Sequence, residues 1–347
     1  MELPINKIMN GDALTHLKEL PDQCINMIMT SPPYWALRDY GADGQIGLEK
    51  TFQEYLEKLI VIFKEVKRVL KPTGTCWVNL GDTYWGGGNN RGSTEENLSE
   101  KQFSNRGARG QVQIEWDKSY KRKCLCGIPM RFALMMIDDG WILRNTIIWH
   151  KPNAMPTPTK DRYSVDFEYL FFFTKNEDYY FEQQLEPHKL ESIKRACRGR
   201  TSEKLDDGQY ATSYKQEYQG YDNMMDRLKN GEIRGVGANG RNKRTVWTIP
   251  TKGFSGAHFA IFPEELIESP VKAGCPKDGI VMDIFFGSGT TGVVALKNSK
   301  KFLGIELNPE YVKIAEERLK PFLIQTKLCE EVKQEAMQSE ARHSSQA

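Results

Sequence analysis

The stretch that decides the fold is Ile280–Glu306, with the sequence IVMDIFFGSGTTGVVALKNSKKFLGIE. It begins with an apolar run typical of a buried strand, turns through a glycine-rich loop into a helical pattern, and ends in a second apolar run. A strand, a glycine loop, a helix and another strand predict a unit whose loop lies at the carboxyl end of the first strand. The stretch therefore predicts an α/β fold with a doubly wound, mostly parallel sheet.

The glycine loop is suited to a ligand that carries a ribose. Gly287, Gly289 and Gly292 have the spacing G-x-G-x-x-G, and Glu306 ends the next strand 19 residues after Gly287. Glycines let a backbone approach a ligand closely, and a carboxylate at that strand end can accept hydrogen bonds from ribose hydroxyls. The pattern fits a nicotinamide dinucleotide as well as another adenosyl ligand, and a tight turn without a ligand also remains open.

The rest of the chain shows the same alternation of strands and helices. Apolar runs predict strands over Lys7–Asn10, Ile25–Thr30, Thr75–Leu80, Asn145–Trp149 and Val165–Thr174. Apolar stripes at helical spacing predict helices over Ala13–Leu20, Phe52–Leu70, Pro129–Asp139 and Pro309–Leu319.

Composition narrows the class of protein. The chain has 347 residues, of which 39% are hydrophobic and 27% charged, which is typical of a globular protein. No apolar run reaches the length of about 18 residues that a membrane span needs, and the N-terminus lacks the layout of a signal peptide. The seven cysteines are scattered and odd in number, so we expect reduced thiols in a cytoplasm, without a disulfide framework or a metal site.

A second motif, Ser31-Pro32-Pro33-Tyr34, follows the apolar run Ile25–Thr30. Two consecutive prolines fix the backbone and remove two N–H donors, which leaves a rigid turn rich in hydrogen-bond acceptors. Such a turn beside an aromatic ring suits a flat substrate bearing an amino group. The amine would donate to the Ser31 hydroxyl and the Pro32 carbonyl, and the ring would stack on Tyr34. A plain turn at the end of a strand is the alternative.

Together, the two motifs resemble the DNA amino-methyltransferases of restriction–modification systems, which take a methyl group from S-adenosylmethionine. That family has a (D/N/S)-P-P-(Y/F/W) turn for the chemistry and an F-x-G-x-G loop for the cofactor. The turn precedes the loop here, as in the permuted β group of the family. The resemblance implies catalytic roles for Ser31, Pro32, Pro33 and Tyr34. It implies cofactor contacts for Asp12, Asp283, Phe285, Phe286, Gly287, Ser288, Gly289, Thr290 and Glu306.

The permutation assigns an order to the strands. By the resemblance, Ile280–Phe285 and Lys301–Glu306 are the first two strands of the family fold, and Lys7–Asn10 and Ile25–Thr30 are the third and fourth. All four ligand-binding positions then fall at the carboxyl ends of parallel strands.

The expected reaction is a direct in-line transfer to an exocyclic amine of a base that has been flipped out of double-stranded DNA. Acceptors at Ser31 and Pro32 would localise the lone pair of the amine, and Tyr34 or Trp35 would stack on the base. A serine in this motif favours N4 of cytosine within the family, with N6 of adenine as the alternative. A cognate restriction endonuclease, a bacterial, archaeal or phage origin, and a monomer or homodimer are further expectations by analogy.

The net charge of +2 conceals a basic segment. Residues 187–252 carry 14 Lys and Arg against 8 Asp and Glu, with tyrosines between them and no regular periodicity. We expect this segment to recognise the DNA target, with Arg241, Lys243 and Arg244 as phosphate contacts; a solvated insertion is the alternative. The domain prediction is a catalytic half over 1–186, with an insertion at 85–123, the recognition region over 187–252, a cofactor half over 253–325 and a polar tail over 326–347.

Three other functions compete with this interpretation. A nicotinamide-dependent oxidoreductase explains the glycine loop and Glu306, but not the Ser31–Tyr34 turn or the basic segment. A DNA-binding protein with a decayed methyltransferase scaffold would bind DNA without transferring a methyl group. Methylation of RNA or of a protein glutamine is less consistent, because those enzymes usually carry N-P-P-Y and are not permuted in this way.

Overall fold

The computed structural model describes residues 3–37, 41–86, 120–189, 191–192, 200–204, 210–214, 230, 240–251 and 262–325. The chain divides into two compact units. One consists of residues 1–182 and 245–347, and the other of residues 183–244.

The strands are named β1 to β12 in chain order. Their bounds are β1 Lys7–Asn10, β2 Ile25–Thr30, β3 Leu70–Leu80, β4 Ile142–His150, β5 Phe167–Thr174, β6 Leu185–Glu186, β7 Arg200–Lys204, β8 Tyr210–Tyr214, β9 Arg241–Asn242, β10 Val246–Thr248, β11 Ile280–Asp283 and β12 Lys301–Glu306. The helices are α1 Ala13–Glu19, α2 Phe52–Val69, α3 Ile128–Asp138, α4 Glu264–Gly274, α5 Thr290–Lys297 and α6, residues 309–325.

The first unit is built on an eight-stranded sheet in the order β1-β12-β11-β2-β3-β5-β4-β10. Strand β5 is antiparallel to both of its neighbours, whereas the other pairs are parallel. The C-terminal strand β11 lies between β12 and β2, and β1 is the edge strand beside β12. The α/β class and the permuted strand order predicted from the sequence are therefore confirmed.

Helices pack against both faces of this sheet because the side chains of each strand alternate between two cores. On β2, Ile28 belongs to the core formed with α1, α2 and α3, whereas Met27 and Met29 belong to the core formed with α4, α5 and α6. The same alternation separates Phe171 from Phe172 on β5. A sheet buried on both faces is typical of doubly wound α/β proteins.

Helix α2 illustrates how the sequence sets an element. Its buried residues follow the predicted apolar stripe: Phe52, Tyr55, Leu56, Leu59, Ile62, Phe63, Val66 and Val69. The Thr51 side chain caps the helix by accepting from the backbone N–H of Glu54. Full burial of a large apolar side chain contributes roughly 1.5–3 kcal/mol, so this stripe dominates the attachment of α2.

Four predicted strands have different bounds in the structure, and β10 was not predicted. Strand β4 covers Ile142–His150 and not Asn145–Trp149, β5 starts at Phe167 and not at Val165, and β11 ends at Asp283 and not at Phe285. Strand β3 starts at Leu70, directly after α2, so Lys71–Gly74 is part of the strand and not a preceding loop. Strand β10 pairs in parallel with β4, and this pairing joins residues 246–248 to the main sheet. The second unit therefore ends at Arg244, before the boundary predicted at 252.

The second unit has its own short strands, although its sequence was expected to be irregular. Strands β7 and β8 form an antiparallel pair with Arg200 opposite Tyr214, and β6 pairs with β9. The residues of β7 and β8, RTSEK and YATSY, are mostly polar and carry no apolar alternation that would indicate a strand. Most of the predicted insertion at 85–123 and the tail after 325 lie outside the described residues. Within the described part of the chain, no helix is both long and apolar enough to cross a membrane.

Candidate active site

The carboxyl ends of β1, β2, β11 and β12 meet at one edge of the sheet, because these strands are parallel. The segments that follow them line a cleft of about 480 Å³. Most of the site residues predicted from the sequence line this cleft, namely Asp12, Ser31, Pro32, Pro33, Tyr34, Phe285, Phe286, Gly287, Ser288, Thr290 and Glu306. The structure thus brings together residues nearly 300 positions apart in the chain.

Asp283 and Gly289, both predicted to contact a cofactor, do not line the cleft. Asp283 is 1% exposed and accepts hydrogen bonds from the hydroxyls of Thr30, at 2.6 Å, and Thr291, at 2.7 Å. It thereby ties the end of β2 to the start of α5. Burial raises the pKa of Asp283 to about 7, although these hydrogen bonds oppose the rise. Asp283 supports the loop from beneath and does not face the cleft.

The glycine loop has the backbone form that glycines permit. Gly287 and Gly289 have φ angles of +52° and +82°, in the left-handed region that L side chains rarely adopt. Phe286 stacks on Phe302 with ring centroids 5.6 Å apart, and a Cβ at Gly304 would come within 2.6 Å of the Phe286 ring. The small residue on β12 therefore admits the ring that shapes this wall of the cleft.

Glu306 lies at the end of β12 and is 9% exposed. Its two carboxylate oxygens accept the backbone N–H groups of Gly287, at 2.7 Å, and Asn308, at 2.8 Å. Burial raises the pKa of Glu306, and these backbone hydrogen bonds oppose the rise. Each carboxylate oxygen has more than one acceptor site, so the fixed group can still accept from the hydroxyls of a ligand.

Asp12 follows β1, the strand that pairs with β12, and caps helix α1. Its Oδ1 accepts from the backbone N–H and the hydroxyl of Thr15, both at 2.8 Å. The cap holds the Asp12 backbone where β1 ends, so its position in the cleft is set by the start of the helix.

The Ser31–Tyr34 turn is held by hydrogen bonds from several elements. The Tyr55 hydroxyl on α2 donates to the Pro33 carbonyl at 2.9 Å. The Ser31 hydroxyl donates to Asn79 Oδ1 at 3.4 Å, and the Tyr34 hydroxyl donates to Glu168 Oε2 at 2.6 Å. Burial, followed by the charge of Glu168, raises the pKa of Tyr34 well above its usual value. Tyr34 therefore stays neutral and acts as a hydrogen-bond donor.

Trp35 does not face the cleft, although the sequence suggested that it might stack on a base. It is 1% exposed, stacks on Trp85 and donates from Nε1 to the Glu49 carbonyl. The large apolar ring is buried in the core beside α2, and Tyr34 is the aromatic residue of this turn that lines the cleft.

Sequence reasoning missed four polar residues. Asn79, Lys151 and Glu168 line the cleft beside the turn, and Arg318 on α6 donates to Thr290 Oγ1 at 2.9 Å and to Ser288. The signal for Asn79 and Glu168 was a polar residue inside an otherwise apolar strand, which is unusual unless the group has a partner. Arg318 carries no such signal, since a basic residue on a surface helix is common.

The predicted DNA contacts lie in the second unit. Arg241 and Arg244 both donate from Nε to Glu186 Oε1, at 2.8 and 2.7 Å. Their side chains are 30% and 61% exposed, so both remain accessible to solvent. The backbone N–H of Lys243 donates to the Gln184 carbonyl at 3.0 Å. Arg241 lies on β9, and Lys243 and Arg244 follow directly after this strand.

The described residues contain no group of three or more His, Cys, Asp or Glu side chains arranged to hold a metal ion. The cysteines of this part of the chain are free thiols. Burial raises the pKa of the Cys126 thiol to about 12, so it stays protonated.

Comparison with known proteins matches this fold and site to one family. A family model described as DNA methylase matches residues 25–317. The type II methyltransferase M.Cfr9I of Citrobacter freundii is 41% identical over 319 residues, which cover 92% of this chain and 89% of that protein. The type II methyltransferase M.SmaI of Serratia marcescens is 36% identical and covers 90% of each chain.

Solved structures share the fold. A PvuII DNA methyltransferase described as cytosine-N4-specific has a TM-score of 0.52 at 22% identity, covering 91% of this chain and 90% of that one. A DNA modification methylase from Thermus thermophilus in complex with S-adenosyl-L-methionine has a TM-score of 0.52 at 21% identity, covering 91% and 95%.

The fold and site define an α/β methyltransferase. This chain belongs to the DNA methylase family, and its relatives M.Cfr9I and M.SmaI are type II methyltransferases. Family membership removes the oxidoreductase interpretation, because the glycine loop and Glu306 are accounted for by a methyltransferase.

Proposed function

We propose that this chain transfers a methyl group from S-adenosylmethionine to the exocyclic N4 amine of cytosine in double-stranded DNA. The observation that carries the proposal is that the Ser31–Tyr34 turn, the glycine loop and Glu306 all line one cleft. A methyl donor and an acceptor amine can therefore be held in one near-attack geometry, which accounts for much of the rate of such a transfer.

The cleft residues fit S-adenosylmethionine as the cofactor. The open space beside Gly287 admits a ligand against the backbone, and Glu306 presents a fixed carboxylate for the ribose hydroxyls. Asp12, Phe285, Phe286, Ser288 and Thr290 also line the cleft. By the family resemblance, Asp12 would contact the adenine. When bound, the cofactor supplies an electrophilic methyl group on a sulfonium.

Ser31 accepts a hydrogen bond from the target amine. Asn79 Nδ2 donates to the Tyr169 carbonyl at 3.0 Å, which turns Asn79 Oδ1 toward Ser31. An amide oxygen only accepts, so the Ser31 hydrogen points to Asn79 and the lone pairs of Ser31 face the cleft. With the Pro32 carbonyl as the second acceptor, both amine hydrogens are engaged, and the nitrogen lone pair is localised for attack on the methyl group.

The substrate base has to leave the duplex to reach this cleft. Enzymes that act on a base within a duplex extrude it into a pocket and stack it between flat side chains. Tyr34 supplies such a ring, and Ser31 is a hydroxyl acceptor of the kind that accompanies N4 of cytosine in the family. The runner-up is N6 of adenine, whose amine could donate to the same acceptors.

The remaining parts of the enzyme follow from this activity. We assign target recognition to the basic segment 187–252, with Arg241, Lys243 and Arg244 contacting phosphates. A cognate restriction endonuclease, action in the cytoplasm, and a monomeric or dimeric state complete the proposal by analogy with restriction–modification enzymes.

The test is methyl transfer from tritiated S-adenosylmethionine to plasmid DNA. Ser31→Ala and Tyr34→Ala should each lose most of the activity while keeping the affinity for S-adenosylmethionine. Ser269→Ala, on α4 outside the cleft, is the matched control and should keep full activity. Wild-type turnover in both cleft variants would refute the assignment of the turn.

Mass spectrometry of nucleosides from the methylated DNA identifies the target base. N4-methylcytosine is the expected product. N6-methyladenine would refute the cytosine assignment while leaving the cofactor and the catalytic turn intact.

A further inference from the structure

A partly buried ion pair lies beside the Ser31–Tyr34 turn. Lys151 Nζ and Glu168 Oε1 form a close contact, and both side chains are 17% exposed. The other oxygen of Glu168, Oε2, accepts from the Tyr34 hydroxyl at 2.6 Å. Lys151 Nζ also lies 4.3 Å from the centroid of the Trp149 ring. One carboxylate thus connects a cation to the aromatic ring of the catalytic turn.

The reversed direction of β5 brings Glu168 to this place. Strand β5 is antiparallel to β3 and β4, so its first residues lie at the edge where its neighbours end. Glu168 is opposite Trp149 in the sheet register, and Lys151 follows one residue after the end of β4. Both members of the pair therefore lie on rigid strand ends and not on a long loop.

The Tyr34 ring is confined from two directions. A Cβ at Gly81 would come within 2.6 Å of Tyr34 Cε2, so the ring packs against the Gly81 backbone. The hydroxyl, next to this edge of the ring, is fixed by Glu168. A swing of the ring about the Cα–Cβ bond would move the hydroxyl and break a charge-assisted hydrogen bond, which is stronger than a neutral one.

We propose that Glu168, held by Lys151, is a positioning residue that fixes the Tyr34 ring as the stacking surface for the flipped base. The inference rests on the proposed function, since it needs a base in the cleft. Glu168 acts through Tyr34 and contacts neither the methyl group nor the target amine.

Asn79 connects the two hydroxyls of the turn. Its Oδ1 lies 3.4 Å from the Ser31 hydroxyl and 3.2 Å from the Tyr34 hydroxyl. An amide oxygen only accepts hydrogen bonds, so Asn79 helps to orient both hydroxyls.

A double-mutant cycle on methyl transfer tests the proposal. Glu168→Gln should lower kcat about tenfold, because a charged acceptor becomes a neutral one, and the KM for S-adenosylmethionine should stay within about twofold. In the background of Tyr34→Phe, which has no hydroxyl to hold, Glu168→Gln should have little further effect. A merely structural role of Glu168 would lower kcat by the same factor in both backgrounds.

The Lys151 variants provide a second, independent measurement. Lys151→Met should lower kcat in the same way, and Lys151→Arg should restore most of it, because arginine also pairs with a carboxylate. Glu268→Gln is the matched control, since it removes the Glu268–Lys272 ion pair of 2.7 Å on the exposed face of α4. It should leave kcat unchanged.

Three outcomes are distinct. Non-additive losses of kcat in the cycle support the proposal. If Glu168→Gln does not fold, the same cycle with Lys151→Met in its place decides the question. Multiplicative losses, or full activity of Glu168→Gln, overturn it. If the wild-type chain transfers no methyl group to DNA, it is the proposed function that fails.

Discussion

Asp283 should control the pH dependence of stability more than any other carboxyl beneath the cleft. Burial raises its pKa from 3.8 to about 7, against the opposing hydrogen bonds from Thr291, Thr30 and the Phe285 backbone. A carboxyl whose folded-state pKa is raised binds its proton more tightly in the folded state. Its stabilising contribution is therefore complete below the unfolded pKa of 3.8 and is lost as the pH rises through about 7.

The size of this effect follows from the pKa. A rise from 3.8 to about 7 corresponds to about 4 kcal/mol of folding free energy. Asp283→Asn removes the ionisable group while keeping an oxygen acceptor for one threonine hydroxyl. Between pH 4 and pH 8, the free energy of unfolding of the variant should therefore rise relative to the wild type by up to about 4 kcal/mol.

Urea unfolding followed by tryptophan fluorescence at a series of pH values measures this difference directly. Other titrating groups are common to both proteins and cancel in the comparison. Asp161→Asn is the control, because the hydrogen bond from Lys123 and its charge lower the pKa of exposed Asp161 from 3.8. The effect of this group on stability changes only below about pH 4, so the difference between this variant and the wild type should stay nearly constant from pH 4 to pH 8. A stability difference between Asp283→Asn and wild type that stays constant from pH 4 to pH 8 would refute the reasoning.

Three further predictions concern the cleft and the basic segment. Gly304→Ala places a Cβ 2.6 Å from the Phe286 ring. Because this overpacks the wall of the cleft, titration calorimetry should show S-adenosylmethionine binding weakened about tenfold. Unchanged affinity would contradict this. Gly81→Ala displaces the Tyr34 ring and should slow methyl transfer, while calorimetry shows cofactor affinity preserved. The last variant replaces Arg241, Lys243 and Arg244 with alanine. The slope of log K for DNA binding against log salt concentration should become shallower by about 0.9 for each phosphate that is no longer neutralised. An unchanged slope would count against these three residues as phosphate contacts.

Much of the fold was predictable because its signals are local. Strands β1, β2 and β12 have the predicted bounds. Each is a short apolar run whose end is marked by a glycine, a proline or an acidic residue. Less predictable were β7 and β8, whose polar residues carry no apolar alternation, and β10, which is defined by its pairing with β4.

The sequence by itself determined the class of fold and two site motifs, and the family resemblance of those motifs implied the permuted strand order. Glycines permit backbone conformations that other residues rarely adopt, and consecutive prolines fix the backbone. Both effects are local, so they can be predicted from a few neighbouring residues. The same holds for the apolar stripe of α2, which needs only a sheet to pack on.

Only the tertiary structure decided which side chains support those motifs. Tyr34 and Glu168 are 134 positions apart, and Thr30 and Asp283 are 253 positions apart. Their contacts depend on the register of β5 and on burial beneath the glycine loop, which no local pattern encodes. Burial also determined the role of Asp283, because a carboxylate that ends a strand can face a ligand or lie beneath the loop, and only packing distinguishes the two.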